Sequence, residues 1–141
     1  MLRAALVWLP LLAASTAPAD TAPTPPVVVR EVFSGSTTAA GQPIVLPQKN
    51  ARLVVSTYDI APGARLPVHK HPSPRYAYVL AGTLTVTDAE SGEAKVYSAG
   101  DFIVEMVDRW HYGTNTGTEP VKLVVIDQTE GPVPNTELRA K

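Results

Sequence analysis

The sequence contains no cysteine among its 141 residues. This absence excludes disulfides, thiol nucleophiles and iron–sulfur clusters, so any bound metal must be held by nitrogen and oxygen ligands. Neither sign of charge dominates, because 12 lysines and arginines oppose 13 aspartates and glutamates with no block of like charge. The charge distribution therefore predicts no nucleic-acid partner. No apolar run reaches the about 20 residues that a membrane-spanning helix requires.

The amino-terminal residues have the pattern of an export signal. Arg3 precedes a short apolar run over residues 4–14, and the small-residue tripeptide Ala17-Pro18-Ala19 follows it. We interpret residues 1–19 as a signal peptide, with a cut nearer Ala14 or Ala17 and an uncleaved anchor as the alternatives. Residues 20–26 are then a proline-rich linker. The mature protein is expected to be exported, periplasmic or secreted, with no membrane insertion after cleavage.

The remaining chain predicts one all-β domain over residues 27–130. Short runs rich in Val, Ile, Thr and Tyr alternate with Gly, Pro, Asn and Asp, which is typical of an antiparallel sandwich or barrel. A tail over 131–141 is expected to be loose or packed along the outside. The predicted strands cover residues 27–33, 43–46 (at an edge), 52–60, 65–71, 75–80, 83–87, 94–97, 101–107, 110–114 and 121–127.

Only three histidines occur, and their spacing predicts one site. On a strand His69 and His71 point to the same face about 7 Å apart, and an adjacent strand must deliver His111. Imidazoles suit divalent transition metals, and three protein ligands leave the coordination shell open. The candidate cofactor is therefore Fe, Zn, Mn, Ni or Cu. The alternative is that His69 and His71 are solvent-facing loop residues and His111 is a hydrogen-bonded core residue.

Two blocks around these histidines resemble the paired motifs of the cupin superfamily, G-x5-H-x-H-x3-E-x6-G and G-x5-P-x-G-x2-H-x3-N. The resemblance covers residues 52–127 and implies a small antiparallel β-barrel or jelly roll. It also implies a central metal and a homodimer. The matching residues are Gly63, His69, His71, Gly82, Gly100, His111 and Asn115.

The main departure from the family pattern is Arg75, which stands where the metal-binding glutamate is expected. Alternation places Arg75 on the same face of its strand as Ala77 and Val79, and the family resemblance implies that this is the inner face. Three outcomes remain open: Arg75 binds an anionic ligand at the cavity mouth, it fills a metal-free barrel, or it pairs with Glu105 or Asp101. Glu105 is the one carboxylate beside the second motif that offers a fourth ligand, but the sequence favours the alternative that it is an exposed acidic residue on a strand.

Three functions follow from these residues. The first is a metal-dependent enzyme, oxygenase-like or isomerase-like, acting on a small anionic molecule. The second is a non-catalytic cupin that binds or senses a small ligand or a metal, and the third is a dimerising scaffold. The absence of a carboxylate base clearly aimed at the site weighs against the enzymes that need one.

Overall fold

The computed structural model describes residues 26–140 in two units, Met1–Arg30 and Glu31–Lys141. In the first unit only residues 26–30 are described, and they are exposed without regular secondary structure. The predicted signal peptide over 1–19 and all but the last residue of the predicted linker lie outside the described residues. The strand predicted over 27–33 is wrong, since these residues form no strand.

The second unit is all-β, as predicted. Its described residues contain no helix, and the strands form two antiparallel sheets with the orders β1-β8-β3-β6 and β5-β4-β7-β2-β9. The fold is therefore a cupin-like barrel. Its strands are β1 (Ala51–Ile60), β2 (His69–Lys70), β3 (Arg75–Ala81), β4 (Thr83–Asp88), β5 (Ala94–Ser98), β6 (Phe102–Val104), β7 (His111–Asn115), β8 (Val121–Glu130) and β9 (Glu137–Leu138).

Alternation of side chains along each strand fills the space between the two sheets. In β3 the inward positions Arg75, Ala77 and Val79 are buried, and the intervening tyrosines are only partly covered. Strand β8 likewise buries every second residue from Val121 to Thr129. The shared core consists of Ile60, Ala77, Val79, Leu84, Val86, Tyr97, Ile103, Met106, Val121, Leu123 and Val125.

Proline limits the strands beside the histidines. The segment predicted as a strand over 65–71 pairs regularly only at β2, since Pro67 and Pro72 flank it and donate no backbone hydrogen bond. The edge strand predicted over 43–46 is reduced to a single bridge between Thr37 and Pro43. No described helix is long and apolar enough to cross a membrane.

The carboxy-terminal tail contributes to the second sheet. Strand β9 pairs with β2, placing Leu138 opposite His69 and Glu137 opposite Lys70. Asn135, just before β9, is buried with 7% exposure. The tail therefore holds the edge of the sheet that carries the first histidine, whereas the sequence predicted only a segment that is loose or packed along the outside.

Candidate metal centre

The three histidines lie together inside the barrel. His69 in β2 and His111 in β7 are directly opposite each other in the antiparallel register, and His71 follows one residue after β2. All three are buried, and their ring centroids are 4.6 to 4.9 Å apart. One nitrogen of each ring lies within 4.8 Å of the other two. The predicted convergence of the imidazoles is therefore present, and the alternative of solvent-facing histidines is wrong.

A backbone carbonyl fixes the tautomer of each ring. The Nδ1 atoms lie 2.7 Å from the oxygen of Pro67 for His69, 2.7 Å from that of Asn135 for His71 and 2.8 Å from that of Arg109 for His111. A carbonyl only accepts, so each Nδ1 must carry the proton and each Nε2 keeps its lone pair. The Nε2 atoms of His71 and His111 are buried without a hydrogen-bond partner. Such a donor set is ready to bind a cation.

Burial also keeps the imidazoles neutral. Desolvation lowers the pKa of His69 and of His111 below the usual value, and the carbonyl bonds only partly oppose this effect. For His71, desolvation and the positive charge of Arg75 lower the pKa to about 2. Burial therefore weakens the competition of protons for these nitrogens.

Glu105 reaches the same cavity from the residue after β6. Its side chain is 12% exposed, and Oε2 lies 3.5 Å from Nε2 of His111. This oxygen is buried without a hydrogen-bond partner. Desolvation raises the pKa of Glu105, and the charge of Arg75 opposes the rise. The exposed position favoured from the sequence is wrong, and a carboxylate does face the histidines.

Arg75 points inward, as strand alternation and the family resemblance together predict, but its main partner is Asp127. The Nε atom donates to Oδ1 at 2.7 Å and Nη2 to Oδ2 at 2.9 Å, and Nη2 also donates to Thr136 Oγ1 at 3.0 Å. Neither carboxylate considered from the sequence, Glu105 or Asp101, forms this pair. Arg75 is buried and still contributes to the cavity wall beside the histidines.

The cavity itself is small and mostly apolar. Its volume is about 30 Å³, far below the about 300–1,000 Å³ of typical small-molecule pockets. Only a few ligand atoms fit beside the imidazoles. The polar wall comes from His69, His111, Arg75 and Glu105, and the remaining wall consists of Tyr58, Leu66, Leu84, Val86, Gly113, Leu123 and Val125.

The cupin domain family matches residues 56–127, which is just over half of the 141 residues. The chain is a cupin. The match includes both motif blocks and ends on Asp127, the partner of Arg75. No curated protein matches this cupin significantly.

Solved structures share the fold. The polyketide cyclase RemF from Streptomyces resistomycificus is 21% identical with a TM-score of 0.51, over 62% of this cupin and 63% of the cyclase. The cupin domain of Cnp3 from Schizosaccharomyces pombe is 19% identical with a TM-score of 0.50, over 55% and 56% of the two chains. Bacillus subtilis oxalate decarboxylase, a protein with Mn(II) centres, is 28% identical with a TM-score of 0.47, over 57% of this chain and 22% of that one. This cupin thus spans less than two-thirds of each of these chains, and the likeness extends to the barrel alone.

Three residues at the site escaped the sequence reasoning: Asp127, Asn135 and Thr136. Asp127 carries a readable signal, because it occupies an inward position of a strand that is apolar at Val121, Leu123 and Val125. A charged residue at such a position requires a buried partner. Nothing in the local sequence marks Asn135 or Thr136.

Proposed function

We propose that this cupin binds one divalent transition metal through Nε2 of His69, His71 and His111, with Glu105 supplying an oxygen ligand. The observation that carries the proposal is the common tautomer: three backbone carbonyls hold three Nδ1 protons and leave the Nε2 lone pairs free. One nitrogen of each ring also lies within 4.8 Å of the other two. Residues that merely fill a core do not require this arrangement. The metal is Fe, Zn, Mn, Ni or Cu, all of which accept nitrogen and oxygen ligands.

The ion pair of Arg75 argues against a metal-free barrel filled by this arginine. Two of its nitrogens already bond to Asp127, and one of them also bonds to Thr136. Moving the guanidinium between the imidazoles would break these bonds and leave Asp127 charged and buried. The pair therefore leaves the imidazole nitrogens available to a cation.

The charges around the cavity support a small anionic ligand once a metal is bound. The histidines are neutral and Arg75 cancels Asp127, so Glu105 is the remaining charge, −1 when ionised. A divalent ion brings the sum to +1, which attracts an anion. We therefore propose an oxygenase-like or isomerase-like enzyme on a small anionic molecule, in which the metal supplies Lewis-acid polarisation. Arg75 and Glu105 would contact the ligand from the cavity wall.

A second candidate is a non-catalytic cupin that carries or senses the metal. The cavity volume of about 30 Å³ favours this function, because a substrate larger than a few atoms requires side chains to move. In this case water completes the coordination shell that the three histidines and Glu105 begin.

Metal analysis of untagged protein tests the binding proposal. We expect about one first-row metal per chain, lost in His69→Ala, His71→Ala and His111→Ala but retained in Asp59→Ala, a control at an exposed surface ion pair. A metal content unchanged by all three histidine substitutions would place the metal elsewhere and end the proposal.

A cobalt-substituted sample separates the two candidate functions. Added formate should change the visible Co²⁺ spectrum if an anion reaches the metal, as the enzyme requires. An unchanged spectrum at high formate concentration supports the binding or sensing function instead. His111→Ala protein, which lacks one ligand, is the control for cobalt bound outside the site.

We also propose that the cupin forms a homodimer, as the family resemblance implies, through the outer face of the sheet β1-β8-β3-β6. Leu53 and Val55 of β1 are 64% and 63% exposed there. Outward side chains of an antiparallel sheet facing water are normally polar. In the other sheet β4 presents threonines at 83, 85 and 87, and the exposed apolar residues Val96 and Leu138 lie apart from one another on β5 and β9, at opposite ends of the strand order. A second copy would cover the apolar face.

Export remains a proposal that the sequence of residues 1–19 alone supports. Amino-terminal sequencing of the protein recovered from the cell envelope or the medium tests it. A mature chain that begins near residue 20 is the expected result, and an intact Met1 in recovered protein would contradict cleavage.

A further inference from the structure

The C-terminal arm, residues 131–140, docks against the segment that carries two of the three imidazoles. Strand β9 extends the sheet beside β2, and the amide of Arg139 donates to the oxygen of Val68 at 3.0 Å. The arm reaches this position from the end of β8, on the opposite sheet. It therefore joins the two sheets at the end of the barrel where the histidines lie.

The orientation of His71 depends on this arm, whereas the other two histidines are oriented locally. His69 and His111 each donate to a carbonyl two residues earlier, on the same segment of chain. His71 donates instead to the carbonyl of Asn135, 64 residues later in the sequence. Its ring is completely buried, so an Nδ1 proton without this acceptor would be costly.

The side chain of Asn135 fixes the position of that carbonyl. Its Oδ1 accepts from the amide of Ser73 at 2.8 Å, and its Nδ2 donates to Ser73 O at 3.1 Å and to Asp127 Oδ1 at 2.7 Å. One amide thus ties the arm to the loop after His71 and to the carboxylate that holds Arg75. Asn135 is 7% exposed, and it contacts both His71 and the Arg75–Asp127 ion pair.

We propose that Asn135 is a positioning residue that presents Nε2 of His71 to the metal, and that docking of the C-terminal arm and metal binding favour each other. The second part rests on the proposed function, since it requires a metal at the three histidines. With the carbonyl of Asn135 withdrawn, His71 can carry its proton on Nε2 and then offers no lone pair to the cavity. Linkage requires the effect to be reciprocal, so bound metal must also hold the arm.

The first test measures the tautomer in metal-free protein by ¹⁵N chemical shifts of the imidazoles. Wild-type His71 should be protonated on Nδ1, and Asn135→Ala should move protonation toward Nε2 while His69 and His111 keep their Nδ1 protons. Leu138→Ala, an exposed position on the same arm, is the matched control and should change none of the three. An unaltered His71 tautomer in folded Asn135→Ala protein would overturn the positioning role.

The second test measures Zn²⁺ affinity by competition with a chelator, because this ion is redox-inert. Asn135→Ala should bind Zn²⁺ about 10- to 100-fold more weakly, the usual loss when a residue that orients a ligand is removed. Leu138→Ala should bind like wild type. Equal affinities for all three proteins contradict the proposal. Wild-type protein that binds no Zn²⁺ refutes the metal site itself, and the tautomer measurement then decides the role of Asn135 alone.

A third measurement needs no substitution and covers the case in which Asn135→Ala protein does not fold. In wild type, Zn²⁺ should slow hydrogen exchange of the Arg139 amide, which closes the arm onto Val68. The Gly100 amide, which donates to the carbonyl of Val79 at the turn before β6, serves as the reference and should change little. Equal exchange at Arg139 with and without Zn²⁺ would rule out coupling between the arm and the metal.

Discussion

Arg75 and Asp127 form a buried bidentate ion pair across strands β3 and β8, with Nε 2.7 Å from Oδ1 and Nη2 2.9 Å from Oδ2. The two residues are register partners in the antiparallel ladder, so the backbone already places them side by side. Desolvation opposes the charge of Arg75, but the bonds and the charge of Asp127 outweigh this effect and raise its pKa. Asp127 therefore neutralises the charge of Arg75, the residue that stands where the family has its metal-binding glutamate.

Breaking this pair from one side should destabilise the protein strongly. Asp127→Ala leaves the Arg75 guanidinium buried without its carboxylate, and we expect a loss of about 3–5 kcal/mol in the free energy of unfolding. The double variant Arg75→Met with Asp127→Leu should lose less than Asp127→Ala, since neither charge remains. Urea unfolding of the three proteins checks this order. A double variant less stable than Asp127→Ala would contradict this expectation. It would show that the attraction within the ion pair exceeds the free-energy cost of removing its two charges from water.

Glu105→Gln should affect stability and metal binding in opposite directions. Desolvation raises the pKa of Glu105 in the folded state, so above its unfolded pKa the ionised group costs stability. The metal-free variant should therefore unfold at higher urea than wild type at neutral pH. Its Zn²⁺ affinity should fall about 10- to 100-fold. If Glu105→Gln is less stable than wild type and binds Zn²⁺ with the same affinity, Glu105 is not a metal ligand.

Asp88→Ala should lower stability in a pH-dependent manner. The carboxylate accepts from the amides of Glu90 and Ser91 at 2.8 and 2.9 Å and pairs with Arg109. The bond from Ser91 is the main cause that lowers the pKa of Asp88 below 3.8. Folding lowers the pKa of Asp88. Its contribution to the free energy of unfolding is therefore present above the pKa of the unfolded state, and it is lost as the pH falls through the pKa of the folded state.

We expect Asp88→Ala to cost about 2 kcal/mol at pH 7, with the difference from wild type shrinking below the ordinary pKa of 3.8. Thermal or urea unfolding as a function of pH measures the difference. Asp59→Ala is the matched control, because its pair with Lys122 lies on the surface and should contribute little at any pH. If Asp88→Ala and wild type differ in stability by the same amount from pH 7 to pH 2, the negative charge of Asp88 does not stabilise the fold.

Val55→Lys should convert the proposed dimer into a monomer. Val55 lies on the apolar outer face and is 63% exposed in the single chain, so lysine is tolerated in the monomer and costly only in a covered interface. Thr85→Lys, on the threonine face of the other sheet, should leave the dimer intact. Sedimentation velocity distinguishes the two outcomes, and a wild-type protein that is monomeric at all concentrations tested would refute the proposal.

The shared face of His69 and His71 could be predicted from the sequence because it follows from the two-residue period of a strand. The inward direction of Arg75 could be predicted from the same period only together with the family resemblance, which identifies the inner face. The same period fails for Glu105. Residues 102, 103, 104, 106 and 107 around it are all apolar, so neither face is distinguished. Only the structure shows which face is which. Ile103 faces the core, and Val104, on the opposite face, is covered by another segment, whose Ala39 amide donates to the carbonyl of Val104.

By itself the sequence determined the all-β fold and the pairing of two histidine-bearing blocks, since both are written in local periodicity and motif spacing. Only the tertiary structure decided which partners complete the site. Asp127 meets Arg75 through the register of β3 and β8, and Asn135 meets His71 because the chain returns over the barrel after β8. These contacts join residues 52 and 64 positions apart. Local propensity carries no information about such pairs, because they exist only when both sheets have closed around one core.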